Sequence, residues 1–251
     1  TGSNGNTVVK EWLYQLLSPE RIITRSPRSY NSQIGVPLSV WLLNETTELG
    51  IFEAGISEMG EMEALQSIIR PTVGVLTNIG GAHQENFYSV PDKCMEKLTL
   101  FKECDVVIYD GDNELISSCV GKSLFGAREI AWSKTDNERP LYISSIEKGE
   151  TSTTIRYRYL GMPNEYTIPF IDDASIENSL HCLAVCLYMM LPAEKITERM
   201  AHLEPIAMRL EVKEGKNGCV LINDSYNSDL ASLDIALDFM SRRSEDKGRK
   251  R

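Results

Sequence analysis

The residues able to do chemistry begin with the first one. Thr1-Gly2-Ser3-Asn4-Gly5-Asn6-Thr7 runs directly into an amphipathic helical pattern over residues 8–17. A glycine-bearing loop that opens a helix offers backbone N–H groups and a positive helix end to an anion, and the hydroxyl of Thr7 is suited to a magnesium ion. The phosphate-loop pattern G-x-x-x-x-G-K-[ST] is met only in part: Asn6 stands where a lysine is required, and the first glycine falls ahead of Thr1. An ordinary capped turn is the competing reading of the same letters. Glu53 closes the apolar run 49–54, at the carboxyl end of an expected parallel strand, where ligands collect in open α/β sheets. His83 follows the β-branched run 72–79 at the same end of the sheet, which makes it a better metal-ligand candidate than His181 or His202. Asn178, near a helix start, reads equally as an N-terminal polar residue and as a base-contacting amide.

The elements that must position these residues alternate. Strands are expected at 21–24, 49–54, 72–79, 105–109 and 129–132, with helices at 8–17, 39–45, 61–69, 91–103 and 114–119 between them. The order predicts an α/β fold with a mostly parallel, doubly wound P-loop-type sheet flanked by helices. Lys93, Lys97 and Lys102 fall on the 91–103 helix, where most lysines are simply solvated. The runs 141–146, 151–159 and 166–169 then alternate polar and apolar residues, with turn signals at 148–150 and 161–164, and read as antiparallel strands added to that sheet. Helices follow at 175–190 and 194–203, then a strand pair at 208–212 and 219–224 and a helix at 230–240. The last pieces are too few to make a domain, so residues 1–204 are expected to form one domain and residues 205–251 the truncated start of a second α/β domain. A phosphate loop normally leaves the end of a central strand, and no residues precede Thr1 to make one. The sheet is therefore expected to lack a buried strand, leaving ladder groups and apolar surface uncovered and the chain poorly stable by itself.

Composition narrows the classes. A formal charge of -10 and a pI near 4.9 argue against a nucleic-acid scaffold, since the basic run is confined to the last few residues. Six cysteines without a paired C-x-x-C spacing indicate neither a zinc knuckle nor a disulfide framework and suit a reducing, cytoplasmic setting. No apolar run is long enough for a membrane span.

Taken in order, these pieces resemble the Mur ligase family, the ATP-dependent amino-acid and peptide ligases of bacterial cell-wall synthesis. The first seven residues resemble the family's T-G-[TS]-N-G-K-[TS], Phe52-Glu53-Ala54-Gly55 its E-[LA]-G element, and Thr77-Asn78-Ile79 through His83 its N-I-x-x-A-H. Lys97 matches a downstream lysine, Asn178 an adenine-side asparagine, Arg209 an arginine at the domain junction, and Asp224-Ser225-Tyr226-Asn227 the opening of the third domain. That last motif resembles the branch that adds D-alanyl-D-alanine to UDP-N-acetylmuramoyl-tripeptide. The resemblance implies ATP and Mg2+ as cofactors and a monomeric ligase unit without its UDP-sugar domain; some bacterial relatives carry a fused alanine racemase.

Residue by residue, the resemblance implies that Gly2, Asn4, Gly5, Asn6 and Thr7 hold phosphates, with Thr7 and Glu53 on one magnesium. His83 and Glu53 would hold a second, aided by Lys97 as a carbamate. Asn178 would contact adenine, Arg209 the phosphates, and Asp224 the nucleotide. Asn6 departs from the family, and loss of such a charge contact costs on the order of a hundredfold in rate. A degenerate nucleotide-binding relative without activity and another Mur-type amide ligase are the alternatives. An unrelated α/β binding module would leave Thr7, Glu53 and His83 far apart.

Overall fold

The computed structural model describes residues 1–80, 86–123, 126–207, 211–216 and 219–224, with residues 233, 236, 237, 240 and 241. The chain divides into two compact units, Thr1–Leu203 and Glu204–Arg251.

The first unit is α/β. Helix α1 (Asn6–Leu17) buries Val9, Trp12, Leu13, Leu16 and Leu17, the apolar stripe that a 3.6-residue period predicts. Strands β1 (Ile23–Arg25) and β2 (Leu49–Ile51) form a parallel pair, with α2 (Gly35–Val40) between them in sequence. After α3 (Glu61–Ile69), β3 (Val73–Val75) opens a second, six-stranded sheet. It continues through β4 (Val106–Asp110), β5 (Arg128–Ser133), β6 (Leu141–Lys148), β7 (Thr153–Tyr159) and β8 (Met162–Ile168), in that spatial order. Pairing is parallel as far as β6 and antiparallel beyond it. Helices α4 (Val90–Leu98) and α5 (Glu114–Ser123) occupy the crossovers, and α6 (Asp173–Tyr188) and α7 (Ala193–Met200) follow the last hairpin.

Burial explains the layering. In β4, Val106, Val107, Ile108 and Tyr109 are all buried, as a parallel strand covered on both faces requires. Val107 and Tyr109 join a core with Met62, Leu65, Cys94, Phe101 and Val120, residues of α3 to α5 and the turn after α4. Helix α6 buries ten residues, including Leu180, Leu183 and Val185, and packs on α1, β4 and β5. The added strands bury alternate residues only: Ile143 on β6, Ile155 and Tyr157 on β7, Tyr166 and Ile168 on β8.

Several boundaries differ from the sequence reading. The helix expected at 39–45 begins at Gly35, because Pro37 falls in its first turn, where a missing N–H costs nothing. The turn expected at 161–164 is instead Leu160-Gly161, both at positive φ (48° and 85°), which is the two-residue hairpin geometry that matches strand twist. Strand β8 therefore starts at Met162 and carries Pro163 on the sheet edge. Strand β3 ends at Val75, short of the expected 79.

In the second unit β9 (Glu211–Glu214) and β10 (Val220–Asn223) pair antiparallel. All six cysteines are free thiols; Cys94, Cys104, Cys119, Cys182 and Cys186 are buried and Cys219 is exposed.

Candidate functional site

The opening loop sits where the carboxyl ends of β2 and β3 come together. Thr77, two residues beyond β3, donates through Oγ1 to the Asn4 carbonyl at 2.6 Å and meets Asn6 Oδ1 at 3.0 Å. The Asn4 amide donates to Asn78 Oδ1 at 2.9 Å, the Ser3 amide to the Asn78 carbonyl at 2.9 Å, and the Gly80 amide to Ser3 Oγ at 2.8 Å. The main chain of Thr1 enters the β3 ladder in parallel register, its amine on the Val75 carbonyl at 2.9 Å and its carbonyl receiving the Thr77 amide at 3.0 Å. Gly5 is the cap of α1, at φ 82°, and an added Cβ there would lie 2.3 Å from Asn178 Oδ1. Only glycine suits that place, and it brings Asn178 of α6 against the loop.

Glu53, two residues past β2 and buried, accepts from Thr7 Oγ1 at 3.0 Å on one carboxylate oxygen and from Asn31 Nδ2 at 2.8 Å on the other. The ammonium of Lys10, buried on α1, lies 3.9 Å from Glu53 Oε2 and 3.1 Å from Glu11 Oε1. It donates to the Ser26 carbonyl at 2.9 Å and to that of Arg28. Gly55 keeps this corner tight: its amide donates to the Asn31 carbonyl at 2.8 Å, and a Cβ would approach the Asn31 amide group to 3.1 Å.

Asn6 is occupied internally. Its Nδ2 donates to the Gly2 carbonyl at 3.0 Å, and its Oδ1 faces Thr77. Lys97 reaches the same Gly2 carbonyl from α4, at 3.0 Å. Burial, aided by neighbouring Lys93, lowers the Lys97 amine to about 8. Lys93 is itself buried and donates to the Gly80 carbonyl. So two of the three lysines expected to be solvated on this helix are buried against the loop; Lys102, which pairs with Glu63 at 3.6 Å, is exposed. His181 is not at the surface either: Nε2 contacts the Thr77 carbonyl at 2.9 Å, Nδ1 accepts from Trp132 Nε1 at 3.2 Å, and burial pushes the imidazole down to about 4.

The structure thus gathers Gly2, Asn4, Gly5, Asn6, Thr7, Glu53, Lys97 and Asn178 around one loop. His83 and Arg209 lie outside the described residues. Asp224 follows β10 in the second unit and is half-buried there. Sequence reasoning passed over Asn31, which orients Glu53, and Lys10. The available signals were an Asn in the loop after a strand and a lysine one turn beyond Asn6 on an apolar stripe.

The donor chemistry fits a hard cation. A hydroxyl and a carboxylate oxygen 3.0 Å apart form an all-oxygen pair of the kind magnesium takes alongside waters and phosphates. Among the described residues no group of three His, Cys, Asp or Glu side chains forms a metal cage. Loop amides, the α1 amino end and Gly5 provide for an anion next to it.

These features define a phosphate-binding α/β domain with its loop on the carboxyl rim of the sheet. The Mur ligase middle domain matches residues 1–186, and the chain belongs to the Mur ligase family. It is 30% identical over 244 residues to the UDP-N-acetylmuramoyl-tripeptide--D-alanyl-D-alanine ligase of Bacillus subtilis, covering 94% of this chain and 51% of that one. The ligase of the same name from Borreliella burgdorferi is 29% identical over 234 residues, 93% of this chain and 50% of the relative. The chain spans about half the length of these relatives. MurF from Acinetobacter baumannii superposes with a TM-score of 0.86 at 20% identity, covering 96% of this chain and 53% of that one. MurF ligase from Thermotoga maritima, in complex with ADP, does so with a TM-score of 0.82 at 22% identity, over 96% and 56%. At those identities the likeness speaks to the fold.

Proposed function

We propose that the protein is the nucleotide-binding part of an ATP-dependent ligase that joins D-alanyl-D-alanine to UDP-N-acetylmuramoyl-tripeptide in cytoplasmic peptidoglycan synthesis. The observation that carries this is the Thr7–Glu53 contact beneath the opening loop, in a chain whose named relatives perform that ligation. ATP with Mg2+ supplies the phosphoryl group that activates the peptide carboxylate as an acyl phosphate, which the amine of D-alanyl-D-alanine then attacks, expelling phosphate. This chain's task is positioning and charge neutralisation. The amides of Gly2 to Thr7 bind phosphate oxygens, Thr7 and Glu53 hold magnesium, Asn31 keeps Glu53 turned toward it, and Asn178 lies on the adenine side. His83 on a second magnesium, Arg209 on the phosphates and Asp224 on the nucleotide belong to the same proposal. Lys97, with its amine lowered to about 8, is roughly one-tenth uncharged at pH 7, the form that adds carbon dioxide to give a carbamate. Carbamylation would make it an oxygen ligand beside magnesium.

Asn6 favours a second reading, a nucleotide-binding relative without ligase activity, because its amide is spent on Gly2 and Thr77. Calorimetric titration of ATP with and without magnesium tests the site: binding that depends on magnesium and falls at least tenfold in Glu53→Ala and His83→Ala is expected, and magnesium-independent or absent binding overturns it. Phosphate release dependent on both peptide substrates, measured for Asn6 and Asn6→Lys proteins, separates the readings; inactivity of both forms supports the inactive relative.

A further inference from the structure

The two sheets of the first unit face each other across a slot. Strand β2 closes one sheet and β3 the other, and between them lies a cavity of about 320 Å³ lined by Gly50, Phe52, Val73 and Val75 along its edges. Hydrogen-bond parity shows which main-chain groups look into it. Leu49 donates to Ile22 and Ile51 accepts from Ser26, so these residues turn to β1, and Gly50 and Phe52 turn the other way. On the far side Thr72 accepts from Val106 and Leu76 donates to Ile108, so Thr72, Gly74 and Leu76 turn to β4 while Val73 and Val75 turn to the slot. At the rim Thr1 already occupies the ladder position beside Val75 and Thr77, running parallel to β3. Thr7 and Thr77 tie the carboxyl ends of β2 and β3 to one loop, so the two edges run in the same direction. Leu13 of α1 and Val185 of α6 line the cavity, as does Phe101 of the core on the α3 to α5 face, so an occupant meets apolar side chains above and below.

We propose that this slot binds one extended, wholly apolar peptide strand, parallel to β2 and β3 with its carboxyl end toward Thr1. Two facing parallel edges admit one strand at about 4.8 Å from each, and an edge of three residues plus its flanks takes about five residues. Coverage on both faces requires a continuous Val/Ile/Leu run rather than an alternating one, which sets this occupant apart from a peptide added at an outer sheet edge. The proposal is independent of the ligase assignment.

The test uses the intact protein and a synthetic peptide of five Val and Ile residues preceded by two lysines for solubility. The expected results are a melting temperature raised by several degrees and amide exchange at Phe52 and Val75 slowed at least tenfold. Exchange at Leu49 and Gly74, already paired, should stay unchanged. The same peptide with proline at its centre, unable to donate to either edge, should do neither. Equal effects from both peptides would mean apolar adsorption and overturn the proposal, as would no effect from either. Protection of Phe52 and Val75 that rises with protein concentration in the absence of peptide, together with dimers in light scattering, would assign the slot to a second copy and overturn it too.

Discussion

An amide at position 6 removes the one mobile cation a phosphate loop normally carries. The structure adds that Asn6 cannot swing toward a phosphate without giving up its bonds to Gly2 and Thr77. Asn6→Lys is therefore expected to tighten magnesium-dependent ATP binding and, where ligation occurs, to raise its rate by on the order of a hundredfold, read from kcat and from calorimetric Kd. Asn31→Ala strips one carboxylate oxygen of Glu53 of its amide donor. A loss of about 1–3 kcal/mol of stability in urea titration and a severalfold weaker magnesium response are expected. Thr7 and Glu53 were legible from sequence because each is fixed by an element end, a helix start and a strand end. Asn31 and Lys10 were not, since their partners depend on the path of the loop from Ser26 to Ile34, which no periodicity encodes.

Loop and helix meet at Gly5, and the consequence can be measured against a second glycine. Gly5 and Gly161 both hold positive φ, 82° and 85°, but a methyl group at Gly161 meets nothing within 4 Å, whereas at Gly5 it strikes Asn178. Gly161→Ala should cost about 1 kcal/mol in denaturant unfolding, the conformational part alone. Gly5→Ala should cost about 2 kcal/mol or more, and adding Asn178→Ala should recover the part due to collision. The periodic elements were readable: α3 has the expected bounds, and the parallel-then-antiparallel switch followed from continuous against alternating burial. The hairpin at Leu160-Gly161 was placed late because Pro163-Asn164 carries the stronger turn signature, while a Pro on an edge strand leaves no periodic trace.

Charge state ties the loop to the stability of the first unit. The folded unit keeps His181 neutral down to about pH 4, while an unfolded chain protonates its histidines near 6.5, so between those values the folded form binds fewer protons. Stability should hold above pH 6.5 and fall by about 3 kcal/mol as the pH drops toward 4, and His181→Gln should flatten that slope while lowering the plateau. Burial also pushes the thiols of Cys94, Cys104, Cys182 and Cys186 above the usual cysteine range, Cys104 and Cys186 to about 12. Reaction needs thiolate, so these groups should resist alkylation at neutral pH, with Cys119 shielded by burial alone. One equivalent of iodoacetamide should add quickly, at Cys219, and five more only as the first unit opens. The second unit thereby carries a ready attachment point for a fluorophore, and the five silent thiols double as a clock for unfolding of the first.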